Sequence, residues 1–311
     1  MDFDAGSSRR APTRHISIDN LFKYNIAMKR SRSLIILISS LLVLALSLVY
    51  ASQNKPAVPA TFDGELAYAH VLAQDGLGPR TPGSVAHARF IEYAQTEFEK
   101  QGWDVSFQQT ERLDHAITNI LATRQEHPPV LLMVHYDSRF FADNDPDPAN
   151  HTAPVPGAND GASGVAVLLE LARVLPSNAP VGLLLVDAED QGRIEGWDWI
   201  LGSRAFAESL EYQPEAVILL DMIGDADLNI YKERNSDPEL TEELWAAAKS
   251  LGYERFFIPE YKYTMLDDHI PFREKGIRAV DLIDFDYPYW HTIQDTPDKV
   301  SAQSLDRKSV V

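Results

Sequence analysis

The chain has 311 residues, a formal charge of −18 and no cysteine. That length admits one sizeable α/β domain. The absence of cysteine excludes disulfides, thiolate metal ligands and a cysteine nucleophile, so any metal must sit on His, Asp or Glu, donors suited to zinc or another divalent ion. Residues 1–33 form a basic segment, with seven Lys/Arg against three Asp. Residues 34–50 carry no charge and are almost all Leu, Ile, Val, Ala or Ser. A membrane span needs about 20 apolar residues, with about 17 the lower limit. Residues 34–51 are therefore expected to be a signal peptide or a membrane anchor, with Met28-Lys29-Arg30 as a second signal-like opening. The basic flank predicts an amino terminus kept inside and an exported body. That body would be periplasmic, or anchored through residues 34–50 if the leader is uncut. Residues 52–61, with Pro56 and Pro59, read as a linker. The excess acid lies in the remainder, which disfavours nucleic acid as a partner and serves solubility.

From residue 62 onward the pattern is that of one folded domain. Residues 62–77 predict a short helix, and 79–84 a turn-rich break. Ser84 caps a helix to about Gln101, with Phe90, Tyr93, Ala94 and Phe98 along one face. Strands are expected at 103–109, 119–123 and 129–135. Residues 139–157 form a Pro- and Asp-rich loop. Its Asp143, Asp145 and Asp147 lack the following glycine and terminal Glu of a calcium loop, so they read as solvated. Helices are expected at 164–175, 202–210, 238–251, 270–275 and from 301 onward, and strands at 181–187, 216–221, 228–231 and 279–283. Strands alternating with helices predict an α/β three-layer sandwich, with a central mixed, mostly parallel sheet flanked by helices. There is no GxGxxG, P-loop or GxSxG, which disfavours a nucleotide cofactor and a serine hydrolase.

Chemistry-bearing residues recur at the ends of the apolar strands. The run Leu183-Leu184-Leu185-Val186 leads into Asp187-Ala188-Glu189-Asp190. Such acids are costly to bury unless a cation pairs with them, and open α/β sheets place ligands at the carboxyl ends of their strands. His135 ends another strand, with Asp137 two residues on, a spacing that can orient a ligating imidazole. Asp160 opens a helix, as either a cap or a ligand. Asp221 ends the strand Val217-Ile218-Leu219-Leu220. His291 follows an aromatic loop beyond residue 283, and Asp267-Asp268-His269 precedes a short helix.

These motifs resemble the zinc aminopeptidase-like M28 fold and, within it, the glutaminyl-peptide cyclotransferases of bacterial type. The resemblance covers roughly residues 60–305. It is carried by Pro79-Arg80-Thr81-Pro82-Gly83-Ser84, His135-Tyr136-Asp137-Ser138, residues 157–164 with Leu169-Glu170-Leu171-Ala172-Arg173, and Asp187-Ala188-Glu189-Asp190. Leu219-Leu220-Asp221-Met222-Ile223-Gly224, Asp267-Asp268-His269-Ile270-Pro271-Phe272 and Trp290-His291-Thr292 complete it. It implies a catalytic domain over residues 62–311 acting on peptide or protein amino termini. By position, Asp160, Asp190 and His291 would hold one zinc. Glu189 would be the general acid/base, and Asp221 and Asp267 would form an acidic network with it. Trp290 would line the substrate pocket, with Trp197 or Trp199 gating it. Two positions depart from the animal enzymes. Asp190 stands where they carry Glu, and Asp281 stands where a second His is expected. His135 and Asp221 also match the additional ligands of two-zinc aminopeptidases. The resemblance thus implies one zinc and cyclisation of amino-terminal Gln with loss of ammonia, or two zincs and hydrolysis of the first peptide bond. A non-catalytic, membrane-tethered module of the same fold is the third reading.

Overall fold

The computed structural model describes residues 60–306. The basic segment, the 34–51 leader or anchor and nearly all of the linker lie outside the described residues. Among the described residues, no helix is long and apolar enough to cross a membrane. The elements run α1 (Gly64–Asp75), α2 (Val85–Lys100), β1 (Asp104–Arg112), β2 (His115–Thr123), β3 (Val130–His135), α3 (Ala162–Val174), β4 (Val181–Val186) and α4 (Leu201–Ser209). They continue with β5 (Ala216–Asp221), β6 (Ile230–Lys232), α5 (Pro238–Ser250), β7 (Phe257–Tyr261), α6 (Ile270–Glu274), β8 (Arg278–Ile283) and α7 (Ala302–Asp306).

Six strands form one sheet in the order β1-β2-β4-β3-β5-β8. Strands β4, β3, β5 and β8 are parallel neighbours, and β2 joins β4 antiparallel. Side-chain alternation assigns the two faces. Leu132, Val134, Leu183, Leu185, Ile218 and Leu220 pack with residues of α1, α2, α3, α5 and α7. Leu131, Met133, Leu184, Val186, Val217 and Leu219 pack with Phe206 of α4 and Phe272 of α6. The sheet is therefore the middle of three layers, as its apolar runs predict. Burying each such Leu or Val side chain stabilises the fold by about 1.5–3 kcal/mol before chain entropy is charged against it.

The first two strands are longer than their sequence suggests. Nine residues of β1 pair in register with nine of β2, Asp104 with Thr123 through Arg112 with His115. The polar end of β1 alternates exposed and partly buried residues and has no apolar run, so pairing with β2 and the bonds of Gln108 to Ala205 O and Ser209 of α4 define it. The connecting Leu113 and Asp114 both have positive φ, 51° and 65°, the left-handed pair that a two-residue hairpin requires. Strand β7, half exposed, has no predicted counterpart, and β6 begins two residues later than expected.

Helix α4 meets the end of β4 at very short range. Gly202 N donates to Asp187 O at 2.9 Å, and a Cβ at Gly202 would lie 2.1 Å from that oxygen and 2.6 Å from Asn119 Oδ1. Gly202→Ala must push the helix off the strand end. A loss of about 2–3 kcal/mol is expected, read as a lower midpoint in chemical denaturation; an unchanged midpoint would contradict this contact.

Candidate metal centre

The carboxyl ends of the parallel strands converge on one place. His135, the last residue of β3, has its Nε2 3.1 Å from Asp160 Oδ1 and 3.2 Å from Asp221 Oδ1, at the end of β5. Asp160 is not a helix cap: the N-cap of α3 is Gly161, which makes no side-chain cap bond. Gly161 has φ of 83°, and a Cβ there would lie 3.0 Å from His135 Cε1. Glycine lets the turn run beneath the imidazole and leaves the Asp160 carboxylate facing the centre. The Asp160 and Asn159 backbone N–H groups donate to Asp295 at 3.1 and 2.8 Å, which holds the turn in place.

Beyond β4 the chain passes through Ala188 in left-handed backbone, φ 51°. Asp137 pins this turn. Its carboxylate accepts from Glu189 N at 3.0 Å, Asp190 N at 3.3 Å and the Gln191 side-chain amide at 2.9 Å. The ring of His135, which the sequence spacing would have Asp137 orient, is more distant, with Nδ1 at 3.7 Å. The hydrogen bonds of Asp137 thus go to the acidic loop. His291, itself at φ 56°, brings Nε2 to 2.7 Å from Asp190 Oδ1 and 3.7 Å from Asp160 Oδ2. Its Nδ1 faces Asp143 at 3.5 Å, and Arg139 holds Asp143 by two hydrogen bonds of 2.9 and 2.6 Å.

Two overlapping sets of ligand atoms result. Asp160, Asp190 and His291 form one, and His135, Asp160 and Asp221 the other, each within 4.8 Å. Asp160 Oδ2 and Asp190 Oδ2 are buried with no hydrogen-bond partner. Orphaned oxygens at this depth cost about 1–3 kcal/mol each, and more when charged. A divalent cation between them removes that cost, and a His/Asp donor set fits zinc. The surroundings are short of positive charge. Burial, then Asp190 and Asp267, push the Glu189 carboxyl well above its usual range. Burial, then Asp221, raises Asp267 to about 7. Burial opposes charge on His291, but Asp190, Asp143 and Asp160 outweigh it and hold the imidazole up at about 9. Asp281 is fully buried with both carboxylate oxygens unpartnered. Burial, then Asp267 and Asp221, push it well above the carboxylate range, which favours the neutral acid.

A cavity of about 290 Å³ opens over these groups. Glu189, Asp221 and Asp267 line it with Trp199 and Trp290. The Trp290 ring stacks on His291 with centroids 3.8 Å apart. Trp197, expected as an alternative gate, is not among the lining residues. It stacks on His115 at 3.5 Å and packs on the cluster of Ile117, Ala188 and Leu201. Trp199, two residues later, takes the cavity side.

Several supporting residues escape sequence reasoning. Arg80 is fully buried and donates to the carbonyls of Tyr136, Pro156 and Gly157 at 3.0, 3.2 and 2.6 Å, tying the end of β3 to the loop before Asp160. The loop 139–157 is less solvated than its composition suggests. Asp145 is buried and accepts from the N–H of Ile293 and from the Asn150 side chain. A run of one charge type marks such a loop but does not say which acid will turn inward.

The family model for peptidase family M28 matches residues 117–311. Among curated proteins, the chain is 26% identical to a glutaminyl-peptide cyclotransferase-like protein of Bos taurus over 70% of its own length and 65% of the relative's. It is 28% identical to an aminopeptidase of Bacillus subtilis, over 58% of its own length and 39% of the relative's. Among solved structures, the Tannerella forsythia glutaminyl cyclase is 36% identical with a TM-score of 0.73, covering 80% of this chain and 96% of that one. A Zn-dependent exopeptidase from Parabacteroides distasonis is 31% identical with a TM-score of 0.75, covering 81% and 97%.

Proposed function

The chain belongs to peptidase family M28, and from that premise we propose that it is a zinc-dependent glutaminyl-peptide cyclotransferase, converting the amino-terminal Gln of peptides to pyroglutamate with release of ammonia. The likeness to glutaminyl cyclases over nearly the whole of a bacterial one supports the reading. The observation that carries it is local. Two unpartnered carboxylate oxygens, on Asp160 and Asp190, share a cavity with an acid outside both ligand sets, Glu189.

A zinc ion held by Asp160, Asp190 and His291 would polarise the γ-amide carbonyl as a Lewis acid. Glu189 takes a proton from the α-amine as its nitrogen bonds to the γ-carbonyl carbon. It returns that proton to the amide nitrogen as the old C–N bond breaks, and ammonia departs. Burial, then Asp190 and Asp267, raise the Glu189 carboxyl and so favour its holding the shuttled proton, and Asp221 in turn raises Asp267. Trp290 and Trp199 give the cavity apolar walls. Attacking amine and receiving amide belong to one residue, so ring closure is intramolecular. An exported setting, anchored or released through residues 34–50, and a catalytic domain from residue 62 belong to the same proposal.

The set of His135, Asp160 and Asp221 supports a second reading, a two-metal aminopeptidase. Mass spectrometry of a Gln-initiated peptide after incubation with the zinc-loaded protein separates the two. Loss of one ammonia is expected; loss of the first residue, with two metals per chain, would favour the peptidase, and neither product a non-catalytic module. Chelation should abolish turnover and added zinc restore it.

A further inference from the structure

Five acids line the proposed substrate cavity, Asp160, Glu189, Asp190, Asp221 and Asp267, and among the described lining residues Arg193 is the sole cation. Arg193 is exposed and has φ of 64°, a backbone region that L side chains seldom adopt and that clusters at functional sites. The turn leading to it is held. Arg139 donates to Asp190 O at 2.8 Å and to Gly192 O at 3.1 Å. Gly192 lies so close to the Trp199 ring that a Cβ there would come within 2.1 Å of it. The stem of Arg193 is thereby fixed relative to Asp190, three residues earlier. Arg139, the other arginine at this turn, is paired with Asp143, whereas Arg193 makes no ion pair among the described residues and lines the cavity.

We propose that Arg193 selects the residue that follows the amino-terminal Gln, favouring Asp or Glu at that position. The inference rests on the cyclase reading. With the Gln side chain at the ligand set and its α-amine at Glu189, the peptide must leave past the rim. Its second residue is then the first to meet a side chain there. A guanidinium binds a carboxylate through two parallel hydrogen bonds. Exposed charges elsewhere on the acidic body, more than about 8 Å away, are largely screened at physiological ionic strength, and of the cavity's acids Asp160 and Asp190 would be offset by the ion they hold.

The test uses the zinc-loaded full-length chain and three peptides that differ only at the second position, Gln-Glu, Gln-Ala and Gln-Lys. The wild type is expected to prefer Glu over Lys by about tenfold in kcat/KM, the scale of one charge-assisted contact. Arg193→Gln should bring that ratio towards one, and Arg193→Glu should invert it. An unchanged ratio in Arg193→Gln, or all three peptides slowed by one common factor, would overturn the assignment. Calorimetric binding of the same peptides to Glu189→Gln protein reads the preference without turnover. A preference for Glu that Arg193→Gln erases supports the role of Arg193 even if no peptide is cyclised, which would sink only the cyclase reading. Equal affinity for all three peptides overturns the role of Arg193 even if cyclisation proceeds.

Discussion

Glu189→Gln is expected to keep its zinc and lose roughly 10²–10⁴-fold in turnover, the range that a positioned proton carrier supplies. The substitution preserves size and leaves the backbone N–H of residue 189 on Asp137, bonded at 3.0 Å. Glu189 belongs to neither set of converging ligand atoms, so the metal has no reason to leave. Only the capacity to take and return a proton is removed. Metal analysis and kcat must therefore be measured on the same preparation. A variant that turns over within tenfold of wild type would remove Glu189 from the proton path, whatever its zinc content.

For His291→Ala the two readouts should fall together. The imidazole is the one nitrogen donor in the set with Asp160 and Asp190, and its Nε2 sits 2.7 Å from Asp190 Oδ1. Without it, two buried carboxylates face each other with two oxygens already unpartnered. Loss of outer partners alone typically costs 10–100-fold in metal affinity, so loss of a ligand should cost more than about a hundredfold. Binding to the native state alone raises the unfolding temperature by mass action, so zinc should stabilise the wild type and leave His291→Ala nearly unmoved in thermal unfolding. An equal zinc-induced rise in both proteins would show that this set does not hold the ion.

How much of this could be read from the sequence depended on whether a feature was local. The central strands were legible because Leu183-Leu184-Leu185-Val186 and Val217-Ile218-Leu219-Leu220 are apolar runs too short for helices. His135, Glu189, Asp190 and Asp221 were legible as the residues that end such runs. His291 and Asp267 were visible only as ligand-type residues beyond a strand and before a short helix, and the resemblance alone gave them roles. The hairpin between β1 and β2 was hidden because its turn, Leu113-Asp114, has no glycine and β1 is polar. Nothing in their spacing distinguishes Trp197 from Trp199; packing on His115 decides. Asp295, Arg80 and Asp145 owe their roles to partners far along the chain, such as Asn159 and Ile293. Such pairings are invisible to any local window.

The centre draws both His291 and the clamp Asp295 from beyond β8, the last strand. A ribosome therefore releases every strand before it releases the groups that close the ligand set. A translation product halted by a premature stop just after Ile283 would own every strand of the sheet and leave Asp160 and Asp190 without the imidazole of His291. Clipping the stretch beyond Ile283 would take His291 from the proposed site and, with Val300 and Leu305, part of the core that packs on the sheet.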